Sequence, residues 1–479
     1  MTIENYILKN GPCLSNELIE YYSKNGTSKD AVRKRISRVG NPIFKLSGFF
    51  QNKQTFFYHK DQYQDEIYFL NLRKAIKNSA RRYYSVIKAI EYHNGYIKKE
   101  HLASYSFSPI KNLKSHKNFK TIIDELKKLN FIFEDNDCYT LNENLSIRSK
   151  NNYNYYKAVE LSKELIINQF NDFTKSIGLI SYDSGKSNSE YSKFQFCFTA
   201  PSYVNGITSF TAGKPKPAFV VADILLGNHI DEDEVDFFLR KISVVKTQSK
   251  CNFLPFLIVD NVSQEAFKKL KKQGIIVGFI NKLFGSEYEE LLKSLLSTVT
   301  NAGTILKENP EAYLTLIEQF NKLIDGKTNN LKGDLFELAV GYYYSNLCQS
   351  LDVGKIIKFE AEKREIDVLA FFQEKIIASE CKAYKTEIEL GVIEKWITDK
   401  VPIIYKSLTY NSNEKEIIFE FWSTSGFTKE AIEYLENKKK SIRKYKIEYY
   451  SEKEIMEKAR KSKAKKITDI MRDYFIKNV

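Results

Sequence analysis

Cysteine is sparse and scattered. Cys13, Cys138, Cys197, Cys251, Cys348 and Cys381 form no C-x-x-C pair, and no histidine stands near them at ligand spacing. That excludes a zinc-ribbon or disulfide framework and points to a reducing, cytoplasmic setting. No apolar run approaches the roughly 18 residues a membrane helix needs. The longest runs, Pro217–Leu226 and Leu254–Val259, are strand-sized. The opening MTIENYILKNGP lacks a basic segment followed by an apolar one, so neither a secretory signal nor a membrane partner is expected. Glycine (20) and proline (9) are few among 479 residues, which excludes collagenous and low-complexity chains. What is present suffices for ordinary cores: 43% hydrophobic and 14% aromatic residues. At roughly 150 residues per domain the length allows about three domains. Lys and Arg number 74 against 60 Asp and Glu, a formal charge of +14. That excess suits a polyanionic partner, although a lysine-rich composition alone produces it too.

Two N-terminal segments, 1–65 and 78–148, share one order of elements. In the first, a short helix around Tyr6 and Ile7 ends at Asn10-Gly11-Pro12. A second carries Leu14, Leu18, Ile19 and Tyr22 at helical spacing. Thr27 or Ser28 caps a third, Lys29–Arg38, with Val32 and Ile36 facing inward. Two β-rich stretches follow, Ile43–Leu46 and Thr55–His59. In the second segment a helix Arg81–Tyr92 and a short helix around Lys98–Ser104 precede a third from about Ser115, then a hairpin over Phe131–Leu141. By element order, and by no diagnostic motif, both segments resemble winged-helix domains. That resemblance implies docking of the third helix in a major groove. Lys29, Arg33, Lys34, Arg35 and Arg38 on one third helix, and Lys117, Lys120, Lys127 and Lys128 on the other, are the candidate DNA contacts. Docking to proteins is the competing role.

The chemistry-bearing stretch lies between Gly333 and Glu430. GDLFELAVGYYY reads as an amphipathic helix carrying Glu337; Lys355–Phe359 reads as a strand. REIDVLAFFQEKIIASECKAYK reads as two strands joined by a turn at Gln373-Glu374-Lys375. Period-two geometry puts Glu380 and Lys382 on one face and Cys381 on the other. Asp367 stands thirteen residues upstream of Glu380 on the neighbouring strand. Paired carboxylates of this kind supply oxygens to Mg²⁺, with Mn²⁺ able to substitute. Such an ion polarises a phosphate and acidifies water. Lys382 can orient that water or neutralise developing charge. These residues resemble the PD-(D/E)XK restriction-endonuclease-like superfamily: Asp367 matches its first acid, Glu380-Cys381-Lys382 its E-x-K, and Glu337 its frequent helical acid. The leading proline is absent; Glu365-Ile366 precede the aspartate. The resemblance implies a mixed-sheet α/β core and metal-dependent phosphodiester hydrolysis, with Asp367, Glu380 and Glu337 as metal ligands and Lys382 completing the catalytic set. Lys395, on the helix predicted over Val392–Ser407, falls where some members place an auxiliary polar residue. A buried strand, Glu416–Trp422, and a helix with Glu430-Ala431-Ile432 complete the expected order. A cross-strand salt-bridge cluster is the bland alternative.

Residues 152–300 run through a similar series: a long helix Tyr155–Ser176, strands near Leu179–Tyr182 and Phe194–Thr199, the apolar strand Ala218–Leu226, a helix Glu234–Val245 and the strand Leu254–Asp260. Ser263-Gln264-Glu265-Ala266 parallels Thr428-Lys429-Glu430-Ala431. Laying VVADILLG on IASECKAY puts Asp223 on Glu380 but Leu225 on Lys382, and FQFCFTA offers no acid in place of Asp367. The segment reads as a nuclease-like fold without its chemistry, or as an unrelated α/β domain of similar period. The tail beyond Asn437 is rich in lysine (Lys438–Lys440, Arg443, Lys444, Lys446, Lys458, Arg460, Lys461, Lys463, Lys465, Lys466) and suits a DNA backbone or a solvated face. Together these features predict a multidomain α/β protein: two winged-helix-like domains, a middle α/β domain and a C-terminal nuclease domain over 305–479. The function they imply is a cytoplasmic, Mg²⁺-dependent endonuclease acting on double-stranded DNA, in restriction or defence against foreign DNA. Homodimerisation for double-strand cleavage and partner proteins of a defence or restriction system are compatible associations. A non-catalytic DNA-binding regulator or complex subunit is the alternative.

Overall fold

Two five-stranded sheets of the same connectivity organise the chain. The computed structural model describes residues 1–145, 153–211, 213–323, 331–360, 362–411, 415–461 and 465–476. It divides into two units, Met1–Asn152 with Ile167–Leu283, and Tyr153–Ile166 with Phe284–Val479. The fold is mixed α/β.

The first unit opens with a helix, Ile3–Asn10, capped by Thr2, whose hydroxyl accepts from the Asn5 amide. Strand β1 (Cys13–Leu14), helices Ser15–Lys24 and Lys29–Ser37, and strands β2 (Ile43–Leu46) and β3 (Phe56–His59) follow, with sheet order β1-β3-β2. Ser28 is the cap of the third helix. Val32 and Ile36 are buried against Ile7, Leu18, Tyr22 and Phe57, as the helical spacing predicts. The plan repeats after a helix Glu66–Ser79. Helix Arg81–Tyr92, β4 (Tyr96–Lys98), a 3₁₀ turn Leu102–Tyr105, helix Phe119–Lys128, β5 (Ile132–Asp135) and β6 (Cys138–Leu141) form a sheet of order β4-β6-β5. The helix expected around Lys98–Ser104 is therefore a strand and a 3₁₀ turn. The third helix begins at Phe119, where Asn118 caps it by accepting from the Lys120 amide at 2.9 Å.

The same unit contains the middle sheet: β7 (Lys186–Tyr191), β8 (Phe194–Ser202), a small hairpin β9 (Ser209–Thr211) and β10 (Lys214–Lys216), β11 (Ala218–Leu225), β12 (Phe253–Val259) and β13 (Ile276–Phe279). No strand forms at Leu179–Tyr182. The Ser184 amide closes a turn on Ser181 there, and Tyr182 is 83% exposed. The second N-terminal segment and the middle sheet, expected as separate domains, share buried bonds: Tyr105 Oη donates to the Ile224 carbonyl at 3.0 Å, and Lys241 Nζ to the Ser104 carbonyl at 2.6 Å. The expected boundaries at 148 and 152 lie outside the described residues. The expected break near 300 lies instead at Leu283–Phe284.

The second unit carries helix Leu331–Ser345, then β14 (Ser350–Phe359), β15 (Glu362–Phe371), β16 (Lys375–Lys382), β17 (Glu416–Ser423) and β18 (Lys446–Tyr450). Its order is β14-β15-β16-β17-β18, antiparallel up to β16 and parallel beyond. The middle sheet runs β7-β8-β11-β12-β13 with the same sequence of directions. Parallel central strands are covered on both faces and read as apolar runs; accordingly Ile417, Phe419, Phe421 and Trp422 of β17 are all buried. Ser263 and Thr428 cap the helices after β12 and β17, and Ala266 and Ala431 three residues on are both fully buried. Among the described residues no helix is long and apolar enough to cross a membrane.

Candidate active site

Strands β15 and β16 pair with Val368 opposite Ser379, so the next step of the ladder sets Asp367 against Glu380. Asp367 Oδ2 accepts the Cys381 amide at 2.8 Å, which fixes the carboxylate between the strands. Lys382 Nζ lies 2.6 Å from Glu380 Oε1 and 3.5 Å from Asp367 Oδ2. The three residues picked from the E-x-K spacing thus converge, and Cys381 is buried on the opposite face.

A fourth residue completes the cluster. Lys400 Nζ bonds Glu380 Oε2 and lies 3.5 Å from Asp367 Oδ1. It ends a π-turn, Trp396–Lys400, between helices Leu390–Lys395 and Val401–Asn411. Single π-turns inserted in α-helices are frequent at functional sites. Trp396 packs edge-on against Phe421 at 5.1 Å, and Arg364 of β15 pairs with Asp399, so the turn is tied down at its first residue and at the residue before the lysine. Lys395, the auxiliary residue expected from the sequence, is exposed one turn earlier and does not reach the carboxylates. The available signal, a second lysine on the helix after the E-x-K, was ambiguous.

Glu337 is placed differently from the expectation. Its Oε2 accepts from Lys157 Nζ at 3.0 Å, and the same ammonium lies 2.9 Å from Glu365 Oε1 and 3.2 Å from Asp334 Oδ1. Lys157 belongs to the first part of helix Tyr153–Ser176, far upstream in sequence, and no motif marks it. Glu337 therefore neighbours the Asp367–Glu380 pair electrostatically without joining it in one oxygen cage.

Burial alone would raise the Asp367 carboxyl, but Lys382, Lys400 and the Cys381 amide together hold it below the usual carboxylate range. Burial would lower Lys382 and Lys400; the two carboxylates outweigh it and keep both ammoniums charged. Burial lifts the Glu337 carboxyl well up against the pull of Lys157. Mg²⁺ uses one or two protein carboxylates and fills its octahedron with water and phosphate oxygens. The hard-oxygen pair Asp367 and Glu380 fits that demand. A shell of protein acids alone does not form: among the described residues no group of three or more His, Cys, Asp or Glu is spaced to hold a metal.

The middle sheet has a counterpart at the same place. Matching β11 to β16 end to end puts Asp223 on Glu380 and Leu225 on Lys382. Ala222 pairs with Phe198 where Ser379 pairs with Val368, so Cys197 occupies the position of Asp367. Asp223 Oδ1 accepts the Cys197 amide at 2.9 Å. Lys241, from the helix between β11 and β12, bonds Asp223 much as Lys400 bonds Glu380. The surroundings differ. Lys241 and Asp223 are 0% exposed, and the Phe196 ring lies 4.2 Å from the ammonium. Burial raises Asp223 and lowers Lys241, and their attraction does not fully reverse either shift.

No protein-family model and no curated protein matches the sequence. Among solved structures, protein VC1899 from Vibrio cholerae matches with 9% identity and a TM-score of 0.17, over 47% of this chain and 50% of its own. Restriction endonuclease FokI bound to DNA matches with 13% identity and a TM-score of 0.19, over 57% and 61%. The DNA modification-dependent restriction endonuclease AspBHI matches with 9% identity and 0.19, over 55% and 62%. This chain thus spans between 50% and 62% of the length of these three proteins. Scores this low establish no shared fold.

Of the basic residues expected at a nucleic-acid interface, Lys29, Arg33, Lys34, Arg35 and Arg38 are all exposed on or just beyond helix Lys29–Ser37, although Arg33 pairs with Asp30 at 3.0 Å. Lys120 and Lys128 are exposed on the second segment's third helix. Lys117 precedes that helix and bonds Glu125 at 2.9 Å and Tyr83 Oη at 2.6 Å; Lys127 is paired with Glu134. Both are engaged by local acids instead of facing outward freely. In the tail, Lys439, Lys446 and Lys466 also pair with acids, and Lys458 lies 4.0 Å over the Tyr450 ring. Lys463 and the side chain of Lys465 fall outside the described residues.

Proposed function

We propose that this chain is a metal-dependent endonuclease of the PD-(D/E)XK kind that hydrolyses phosphodiester bonds in double-stranded DNA. The observation that carries the reading is the convergence of Asp367, Glu380 and Lys382 on adjoining strands, with Lys400 closing the cluster. Asp367 and Glu380 would hold Mg²⁺ or Mn²⁺. The ion, when bound, supplies Lewis-acid polarisation of the phosphate and acidifies a water. Lys382, 24% exposed beside both carboxylates, orients the attacking water and offsets charge developing on the phosphate oxygens. Lys400 holds Glu380 in place and adds a second positive charge on the same side.

The two N-terminal segments act as winged-helix-like modules. The exposed row Lys29, Arg33, Lys34, Arg35 and Arg38 meets the phosphate backbone, and the positive charge of the chain supports that contact. Six free cysteines suit a reducing cytoplasm. Double-strand cleavage in a homodimer, and service in a restriction or defence system with partner proteins, are consistent with this chemistry.

One observation favours a second reading. Each carboxylate of the cluster already has an ammonium partner, as in an ion-pair network of a non-catalytic DNA-binding regulator or complex subunit. The deciding experiment incubates the purified protein with plasmid, linear and single-stranded DNA in Mg²⁺, Mn²⁺ or EDTA. Cleavage with metal and none with EDTA is expected. Salt-sensitive binding without cleavage in any metal would establish the regulator reading.

A further inference from the structure

Lys157 is the least expected member of the cluster. An ammonium has three N–H donors and no acceptor. Here three carboxylates stand around it: Glu365 Oε1 at 2.9 Å, Glu337 Oε2 at 3.0 Å and Asp334 Oδ1 at 3.2 Å. Glu365 lies two residues before Asp367 on β15, so both side chains leave the same face of the strand. Asp334 and Glu337 share one face of helix Leu331–Ser345. The start of the Lys157 helix is fastened to the same unit. Tyr153 Oη donates to Glu365 Oε2 at 3.2 Å, and Asn154 Nδ2 to the Val353 carbonyl at 2.9 Å. Gly354, at φ +64°, leaves room for that asparagine, because a Cβ there would stand 2.5 Å from Asn154 Oδ1.

We propose that Lys157 is a positioning residue, a tethered cation that takes the place of a second metal ion beside Asp367 and keeps the site to one divalent ion. This rests on the nuclease reading above for the first ion, at Asp367 and Glu380. Three hard-oxygen ligands from a helix and a strand are what a second Mg²⁺ or Mn²⁺ would need. They stand at ammonium distance, about 1 Å longer than the 2.0–2.1 Å of a Mg–O bond. Lys157 holds them apart and compensates their charge. Without it the acids would lack a counter-ion and would close on a divalent cation. Glu337 is then a ligand of the ammonium in the native protein and a metal ligand only in its absence.

Calorimetric titration of the full chain with Mn²⁺ reads the number of ions directly. The wild type is expected to bind one ion per chain. Lys157→Met is expected to bind two and Lys157→Arg one. Adding Glu380→Ala should remove one ion from each. Lys157→Gln, which keeps a hydrogen-bonding head, serves if the methionine variant does not fold, and should also bind two. Two ions in the wild type, or one in both folded neutral variants, would overturn the proposal. A wild type that binds no ion while Lys157→Met gains one would sustain the role of Lys157 and overturn the metal-dependent reading of Asp367 and Glu380.

Discussion

In the C-terminal sheet, Asp367 and Glu380 share two lysines that remain 24% and 19% exposed; in the middle sheet, Asp223 pairs with the single lysine Lys241, and both are 0% exposed. The strand order, strand directions and the lysine on the following helix are common to both. What differs is that Cys197 stands where the C-terminal sheet has Asp367, and Leu225 where it has Lys382. The remaining space is filled by the second N-terminal segment, with Tyr105 on the Ile224 carbonyl and Lys241 on that of Ser104. Two ammoniums hold the Asp367 carboxyl below its usual range in spite of its burial. Full burial pushes the middle pair toward neutrality, because desolvation grows faster than a single ion pair can offset. A partly exposed cluster of two acids and two lysines and a fully buried single ion pair are thus built on one strand plan.

The sharpest way to break this comparison is to remove the acids one at a time. Asp367→Ala and Glu380→Ala should each reduce DNA cleavage about a thousandfold or more, roughly 4 kcal/mol of transition-state stabilisation. Asp223→Ala should leave cleavage per folded molecule within a small factor of wild type. It should nonetheless cost about 3–5 kcal/mol of stability in urea unfolding, because it strands Lys241 in an apolar site. The double change Asp223→Leu with Lys241→Met should recover most of that loss. If Asp223→Ala destroyed cleavage while the protein stayed folded, the assignment of roles to the two sheets would be reversed.

The next contrast lies within one helix. Lys400→Ala should lower kcat on the order of tenfold to a hundredfold, about 1.4–2.7 kcal/mol, and Lys395→Ala should change it less than about twofold. Steady-state cleavage of a labelled duplex reads both. Equal effects would mean that the π-turn does not set which lysine acts. The smallest expected effect concerns DNA binding. Arg33→Ala, Arg35→Ala and Lys120→Ala together should flatten the slope of log K against log[salt] by up to about 2.7, at about 0.9 per phosphate contact. Lys117→Ala, whose ammonium is held by Glu125, should barely move it. A slope that responds to Lys117 and not to the arginines would relocate the DNA-facing surface.

Much of this was legible in the residues. Alternation placed Glu380 and Lys382 on one face, and the cap-and-alanine pattern at Ser263 and Thr428 matched two helices in different parts of the chain. Strands Cys13–Leu14 and Tyr96–Lys98 escaped because two or three residues carry no period. Lys157 escaped because it meets Glu337 across 180 residues of sequence, and 74 basic residues offer too many candidates for a distant partner. The acids that pair with Lys117 and Lys127, Glu125 and Glu134, escaped for a related reason. Helical spacing tells which way a side chain leaves the backbone, and says nothing of an acid waiting on the next element.

The π-turn can also be considered as a matter of angular phase. Ile393, Ile397 and Val401 recur every four residues and are all buried, as is Ile404. In an α-helix of 3.6 residues per turn, each such step overshoots by about 40°, so a strict four-residue stripe drifts around the axis. A wider turn absorbs the drift and lets the stripe run straight along the core, and Lys400 rides on its edge. Deleting the exposed Thr398 would remove the extra residue of the wide turn and restore regular α winding, leaving Lys400 three α-helical steps, about 300°, beyond Trp396 instead of close to a full turn. Lys400 would then leave the carboxylates with no charge altered, because its reach is set by the winding of the helix that carries it.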